Sequence, residues 1–286
     1  MDNSVYQNPL ITRYASKEMS ENFSDKKRFT LWRKLWIALA GSERELGLNI
    51  SQEQIDEMNR FANDINFEQA EKYEKEMRHD VMAHIHAFGA QAVSAMPIIH
   101  LGATSCFVDC NSELIILNDA LNIIKIKLLN VINNLKNFAL KYKDLPTLGF
   151  THLQPAQLTT VGKRAALWLQ DLTMEYNNLV NLQSSFKLRG VKGTTGTQAS
   201  FMDLFDGDEE KVKELEELVV KKLGFDKVFA VTGQTYPRKF DYNVLSLLSQ
   251  IAQSAYKFSN DLRLLQCMKE VEEPFEKMQV GSSAMA

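Results

Sequence analysis

Apolar residues recur every three or four positions through residues 111–143, and this pattern predicts one long helix. The repeat is Leu114, Leu117, Leu121, Ile124, Leu128, Val131, Leu135, Phe138 and Tyr142. Such spacing is typical of a seam along which helices pack. Further apolar residues, among them Ile115 and Ile126, lie off that seam. The helix therefore has to bury more than one side, and the Leu145-Pro146 pair is expected to end it.

Two further long helices follow the same logic. The first is predicted to begin after Pro155 and to end before Gly190, which is its expected C-cap. The second is predicted over residues 239–278, with a late kink at Pro274. Between them we expect a Gly/Thr-rich loop over residues 192–200 and a shorter helix over residues 208–223, closed by Gly224.

The first 105 residues have a different pattern of shorter segments, including an apolar helix over residues 29–46 and a charged segment over residues 68–88. Only 13 Gly and 6 Pro occur in 286 residues, which favours long uninterrupted helices. We therefore predict an all-α protein, with a small helical domain over residues 1–105 and an elongated, incomplete bundle of long helices over residues 106–286. The multi-sided apolar faces also indicate packing between subunits.

Charge and hydropathy limit the partners and the location. Lys and Arg number 33 against 36 Asp and Glu, so no global positive field would attract nucleic acid or an anionic membrane. The first 30 residues lack the apolar core of a signal peptide, and no apolar run approaches the ~18 residues that span a bilayer. We expect a soluble cytoplasmic protein whose cysteines, Cys106, Cys110 and Cys267, are free thiols.

Three histidines and an aspartate fall within nine residues, from Arg78 to His86, and suggest a metal site. Helical geometry argues against it, because His84 would point about 140° away from His79 and the i, i+4 histidine pair of a zinc protease is absent. We interpret Arg78, His79 and Asp80 as a polar cluster and predict no metal. A hydrolase with a metal on His79, His84 and His86 is kept as the alternative.

Polar residues also interrupt the helical pattern at three other places. Thr104 and Ser105 precede the long helix, where backbone N–H groups favour an anion, although an ordinary capping turn would look the same. His152 lies in a turn and is either a general acid or a surface residue. The loop from Gly193 to Gln198 is suited to binding oxygen-rich groups, or is a plain solvated loop.

Taken in order, these segments resemble the fumarase/aspartase superfamily. The shared motifs are Gly102-Ala-Thr-Ser105, Thr151-His-Leu-Gln-Pro155 and Gly281-Ser-Ser-Ala-Met285. Four segments look like the adenylosuccinate lyase family within it: Arg13-Tyr-Ala-Ser16, Arg78-His-Asp-Val-Met-Ala-His84, Gly149-Phe-Thr-His-Leu-Gln-Pro-Ala-Gln157 and Thr194-Thr-Gly-Thr-Gln-Ala-Ser-Phe201. The resemblance covers nearly the whole chain.

The resemblance implies a fold of helical domains and a carbon–nitrogen lyase of purine biosynthesis. Such an enzyme eliminates fumarate from adenylosuccinate, giving AMP, and from succinyl-aminoimidazole carboxamide ribotide. It needs no metal or organic cofactor and binds only small-molecule substrates. It also implies a homotetramer in which each active site gathers segments from three subunits.

The resemblance also implies roles for individual residues. His152 matches the general acid and Ser282 the general base. The matching substrate-binding residues are Arg13, Tyr14, Arg78, His79, Asp80, Thr104, Ser105, Thr151, Gln198 and Ser283. Arg13 and Tyr14 are expected at the phosphate, and Thr104 and Ser105 at the succinyl carboxylates.

The family motif continues Met-Pro where this chain has Met285-Ala286 and ends. The resemblance implies that the rest of that loop and the C-terminal domain are absent, so we expect the 286 residues alone to be inactive. Two alternatives remain: another lyase of the superfamily, such as an argininosuccinate lyase or a fumarase, and a helical scaffold without catalysis. The presence of both His152 and Ser282 weighs against a scaffold.

Overall fold

The computed structural model describes residues 4–272, 274 and 277–278, and this part of the chain is mostly helical. The mostly helical fold class is therefore confirmed. The elements, in chain order, are a π-helical turn at Leu10–Tyr14, α1 (Lys17–Asn22), α2 (Asp25–Glu45), α3 (Gln52–Arg60), α4 (Phe67–Met77), α5 (Asp80–Gln91), a 3-10 turn at Val93–Ile98, α6 (Ser105–Lys141), β1 (Pro146–Thr151), β2 (Gln154–Thr160), α7 (Val161–Ser184), α8 (Ala199–Leu204), α9 (Glu209–Lys222) and α10 (Lys239–Cys267).

The chain divides into two compact units. The first comprises Met1–Lys127 and Asn181–Asp241, and the second comprises Leu128–Val180 and Tyr242–Ala286. Helices α6, α7 and α10 each have residues in both. The predicted domains, residues 1–105 and 106–286, stay a prediction.

Side-chain caps explain where several helices of the first unit begin. Ser24 accepts a hydrogen bond from the Lys27 N–H at the start of α2, and Asp208 accepts one from Lys211 at the start of α9. Ser51 and Gln54 form a capping box on α3. The caps of α2 and α9 place these helix starts within about four residues of the predicted positions, whereas α3 was not predicted.

The core of the first unit is built around α2. Trp32, Leu35, Trp36 and Leu39 are fully buried and belong to one apolar cluster with residues of α5 and α9. Burying side chains of this size contributes about 1.5–3 kcal/mol each. The cluster fixes α5, whose first turn carries predicted site residues.

The predicted charged segment over residues 68–88 is two helices. Arg78, with a φ of 53°, adopts a left-handed conformation that ends α4, and His79 caps α5. The two helices pack against each other.

Helix α6 begins at Ser105, six residues before the predicted start, and ends two residues before the predicted end. Its first half carries buried seam residues, among them Leu114 and Leu121. In the second unit, seam residues Val131 and Phe138 are 47% and 42% exposed. The predicted seam is therefore buried along only part of its length within a single chain.

The second unit contains a β-hairpin that the sequence analysis assigned to a turn and the start of a helix. Strands β1 and β2 pair antiparallel from Pro146 opposite Thr160 to Thr151 opposite Gln154. The long helix predicted after Pro155 is α7, but its start was predicted too early, because residues 154–160 pair with β1 and α7 begins only at Val161. Gly162 allows this junction, because a Cβ atom there would lie 2.3 Å from the Ala139 carbonyl oxygen.

Helix α10 ends at Cys267, so the prediction that it continues to residue 278 with a kink at Pro274 was also wrong. Lys269 is left-handed with a φ of 60°, and the Glu270 N–H donates to the Leu265 carbonyl. This bond pattern closes the helix in the manner usually reserved for glycine. No helix in the described part of the chain has the length and apolarity needed to cross a membrane.

Candidate active site

The corner between α4 and α5 carries three of the predicted site residues. Arg78 is exposed at the end of α4, and the His79 side chain accepts a 3.4 Å hydrogen bond from the Met82 N–H at the start of α5. Asp80 accepts a 2.8 Å bond from the Val81 N–H. The triplet thus lies at the break between two helices, with His79 and Asp80 at the N-terminus of α5.

Ser105 meets this corner. Its Oγ lies 3.3 Å from His79 Nε2. Because His79 Nδ1 accepts from the backbone, a neutral ring carries its proton on Nε2 and donates it to the serine. Ser105 is also the first residue of α6. The contact therefore joins the N-terminal ends of α5 and α6, both of which favour negative charge.

Arg28 of α2 lies behind this corner and was not predicted. Its guanidinium is 3.7 Å from Asp80 and 3.5 Å from Asp109, and it stacks 4.9 Å from the centroid of the Trp32 ring. Burial, together with repulsion from Asp80, raises the pKa of Asp109 to about 6, while Arg28 opposes the shift. Arg28 thus holds two carboxyl groups, that of Asp80 in the first turn of α5 and that of Asp109 in the second turn of α6.

His100 is a second residue that the sequence analysis missed. The Trp36 indole N–H donates a 2.8 Å bond to His100 Nδ1, so the neutral ring carries its proton on Nε2. Burial, together with repulsion from the nearby His79, lowers the pKa of His100 to about 4. His100 is therefore a neutral hydrogen-bond donor at pH 7, four residues before the buried Thr104.

The turn that carries Thr104 packs against the segment that follows Gln198. A Cβ atom on Gly102, whose φ is +67°, would come within 2.7 Å of Leu204 and 2.9 Å of Phe201. Only glycine therefore fits this position without displacing α8. The packing brings two of the predicted segments, residues 102–105 and the end of the Gly/Thr loop, to the same side of the first unit.

The Gly/Thr loop is held by hydrogen bonds from Arg189 and Gln198. The fully buried Arg189 donates to the carbonyls of Gln234, Lys192 and Gly193 over 2.7–2.8 Å. The Gln198 amide donates a 3.0 Å bond to the Val191 carbonyl.

Thr151 and His152 lie at the tip of the hairpin, in the second unit, and both are exposed. His152 and Leu153 have φ values of 55° and 56°, so the tip is a turn with two consecutive left-handed residues. Neither residue is glycine or asparagine. Strain of this kind is concentrated at functional sites.

The remaining predicted site residues are Arg13, Tyr14, Ser282 and Ser283. Arg13 and Tyr14 are exposed at the end of the π-helical turn, and within residues 4–272 no hydrogen bond or ion pair links them to the other predicted site residues. Ser282 and Ser283 lie outside the described residues.

The histidines of the alternative metal site have other surroundings. His84 is buried and stacks at 3.7 Å on the Phe29 ring, and burial, with repulsion from Arg33, lowers its pKa to about 4. His86 packs beside Tyr73. Within the described residues, no group of three or more His, Cys, Asp or Glu side chains could hold a metal ion.

Comparison with known proteins places these features in a family. The chain is 56% identical over its whole length to adenylosuccinate lyase of Saccharomyces cerevisiae and 54% identical to adenylosuccinate lyase of Schizosaccharomyces pombe. It spans 60% of the length of each of these relatives.

Among solved structures, a fumarate lyase from Mesorhizobium sp. BNC1 superimposes with a TM-score of 0.79 over 93% of this chain and 60% of its own, at 21% identity. A 3-carboxy-cis,cis-muconate lactonizing enzyme from Pseudomonas putida gives 0.78 over 90% of this chain and 58% of its own, at 24% identity. These two likenesses concern the fold. The family model described as lyase matches residues 13–286, and the chain therefore belongs to the lyase family.

Proposed function

We propose that the whole protein is an adenylosuccinate lyase, which cleaves adenylosuccinate to AMP and fumarate and acts likewise on succinyl-aminoimidazole carboxamide ribotide. The observation that carries this proposal is the 56% identity to the Saccharomyces cerevisiae relative over 100% of this chain. Every predicted motif lies within the matched length.

The proposed reaction is a β-elimination. Ser282 removes a proton from the succinyl carbon beside a carboxylate, which leaves two negative charges on that carboxylate. The carbon–nitrogen bond then breaks and its electron pair goes to nitrogen, which takes a proton from His152, while the double bond of fumarate forms. Neither step uses a metal or an organic cofactor.

The joined ends of α5 and α6 support an anionic substrate. The Thr104 and Ser105 segment and His79 supply hydroxyl and imidazole donors there, beside the N-terminal ends of two helices, whose dipoles favour an anion. His100 adds a neutral donor nearby. We infer that this region binds the succinyl carboxylates, with Arg78 and Asp80 at the nucleotide, Thr151 and Gln198 at further contacts, and Arg13 and Tyr14 at the phosphate.

We further infer a cytoplasmic homotetramer with active sites shared between subunits. Large apolar side chains of the second unit support this inference because they lie open to solvent in the single chain. Leu158 is 81% exposed, Tyr256 76% and Leu245 64%. Patches of this kind mark sites of protein association.

A substrate panel tests the proposal. The complete gene product is assayed by ultraviolet absorbance with adenylosuccinate, argininosuccinate and malate, with and without a chelator, and its mass in solution is measured. We expect turnover of adenylosuccinate alone, unaffected by the chelator, in a tetramer. Turnover of argininosuccinate or malate instead would assign another lyase, and a folded tetramer without any turnover would favour the scaffold.

A further inference from the structure

The hairpin that carries His152 needs support from outside itself. Two-stranded hairpins are marginally stable in water on their own. This one also has left-handed residues, His152 and Leu153, at both central positions of its turn, at a cost of about 1–2 kcal/mol each. The pairing is further interrupted by an irregularity between Leu148 and Phe150. A fixed position for the tip therefore requires contacts to the rest of the unit.

Arg164 and Glu270 supply those contacts. Arg164 Nη2 donates a 2.8 Å bond to the Leu148 carbonyl of β1, and Glu270 Oε2 accepts a 2.6 Å bond from Thr147 Oγ1. The two side chains also form an ion pair, with 3.5 Å between Arg164 Nη1 and Glu270 Oε2. Their side chains are only 16% and 24% exposed, so solvent screens these bonds less than it would on an open surface.

The backbone that carries Arg164 and Glu270 is held by contacts between α7 and α10. Arg164 lies one turn before Trp168 on α7, and the Trp168 indole donates a 2.8 Å bond to Asp261 of α10. Trp168 also packs edge-to-face on Phe258, with ring centroids 4.9 Å apart. Glu270 follows α10 directly, and its backbone N–H is bonded to the Leu265 carbonyl. Both side chains thus extend to β1 from fixed backbone.

We propose that Arg164 and Glu270 are positioning residues of the lyase, which hold β1 so that the hairpin presents His152 to the leaving nitrogen. This inference rests on the proposed function. Thr147 lies five residues before His152, about 17 Å along an extended strand. The two residues therefore act through β1 and do not touch the substrate.

Variants of Glu270 test the proposal in the complete gene product. Glu270→Ala removes both bonds, whereas Glu270→Gln keeps an acceptor for Thr147 and loses the ion pair. Lys257→Ala is the matched control, because Lys257 of α10 pairs with Asp171 of α7 over 2.7 Å without contacting the hairpin. Steady-state kcat and KM for adenylosuccinate, the melting temperature and hydrogen exchange of the β1 amides are measured for each.

We expect Glu270→Ala to lower kcat by about tenfold or more with KM changed less than about threefold, since a displaced acid slows the chemical step more than binding. Glu270→Gln recovers part of kcat, β1 amides exchange faster in the alanine variant, and Lys257→Ala matches wild type. Equal kcat and equal β1 exchange in Glu270→Ala and Lys257→Ala would overturn the proposal. So would a loss of kcat that tracks the melting temperature alone.

The exchange measurement separates this inference from the proposed function. If wild-type protein does not cleave adenylosuccinate, the proposed function fails. Faster β1 exchange in Glu270→Ala would then still show that Glu270 holds the hairpin, and unchanged exchange would refute that as well.

Discussion

His79 Nε2 lies 3.3 Å from Ser105 Oγ, and this contact joins the first turns of α5 and α6, which are 26 residues apart in the chain. The positive ends of two helix dipoles meet there, in a protein whose net charge is −3. The proposed binding of the succinyl carboxylates depends on this relationship.

Substitution of His79 separates its two roles. His79→Ala removes both the cap on α5 and the donor to Ser105, so we expect about 0.5 kcal/mol less stability, the low end for a cap because the bond is long, and a KM raised about tenfold. His79→Asn keeps a capping side chain but is too short to reach Ser105. It should melt like wild type and still show the raised KM. A wild-type KM for His79→Asn would contradict the assignment.

The buried carboxyl group of Glu43 is expected to make the stability of the protein depend on pH. It is fully buried on α2, and neither carboxyl oxygen has a hydrogen-bond partner among the described residues. Burial raises its pKa from 4.5 to about 8. Between these values the unfolded chain releases a proton that the folded state keeps. The contribution of Glu43 to the free energy of unfolding is therefore fully present below pH 4.5 and is lost as pH rises towards 8, by up to about 1.4 kcal/mol per pH unit.

Urea denaturation of wild type and Glu43→Gln from pH 5 to pH 8 checks this sign. The glutamine variant should lose most of the slope and become the more stable protein at high pH. Glu45→Gln is the control, because Glu45 lies on the same helix and its side chain is 47% exposed beside Lys222. Parallel curves for wild type and Glu43→Gln would refute the prediction.

Alanine substitutions at two glycines with similar backbone conformations are expected to lower stability by different amounts. Gly196 and Gly207 have φ values of +80° and +85°. A Cβ atom at 196 would lie 1.9 Å from the Thr232 carbonyl oxygen, whereas nothing lies within 4 Å at 207. We expect Gly207→Ala to cost about 1 kcal/mol from conformation alone and Gly196→Ala to cost about 3 kcal/mol or more. Equal denaturation midpoints would contradict the described loop.

Arg189 is expected to hold the Gly/Thr loop. Arg189→Met leaves three carbonyl acceptors without their donor, which should cost about 3–5 kcal/mol and speed amide exchange over residues 192–198. Arg238→Met is the control, because Arg238 is 53% exposed and pairs with Glu113 at the surface, where such pairs contribute about 0–1 kcal/mol. Comparable losses in the two variants would show that the buried bonds do not fix the loop.

The sequence predicted the long helices well, because their apolar periodicity and end signals act locally. The helix predicted over residues 208–223 is α9, with Asp208 as its cap and Gly224 just beyond its end. Gly224 adopts a left-handed conformation, as its use as an end signal requires. Gly190 is also left-handed, but the prediction that it caps α7 was wrong, because α7 ends at Ser184.

The errors share one physical cause. The break between α4 and α5, the hairpin tip and the end of α10 are made by left-handed residues that are not glycine: Arg78, His152 with Leu153, and Lys269. Such residues carry no turn signal, and the hairpin is also held by a bond from outside it, from Arg164 to the Leu148 carbonyl. Residue patterns could not supply that information.

The candidate site was predictable in part. The resemblance named His79 and Ser105 separately, but their contact arises from packing across the unit. Arg28 and His100 were missed because their polar partners are distant in sequence; Trp36 and His100, for example, are 64 residues apart. Arg189 was missed although two of its three acceptors, the Lys192 and Gly193 carbonyls, are close in sequence. A histidine two residues before Gly102, in the turn that leads to α6, was the one local signal available for His100.

The most direct test of the central claim is the cleavage of adenylosuccinate by the complete gene product, followed beside His152→Ala and Ser282→Ala. We expect turnover by wild type and a loss of about 10²-fold or more in kcat for each variant, with folding retained, because each variant removes one of the two proton transfers. Wild-type rates in a folded His152→Ala variant would contradict the proposed role of His152 as the general acid.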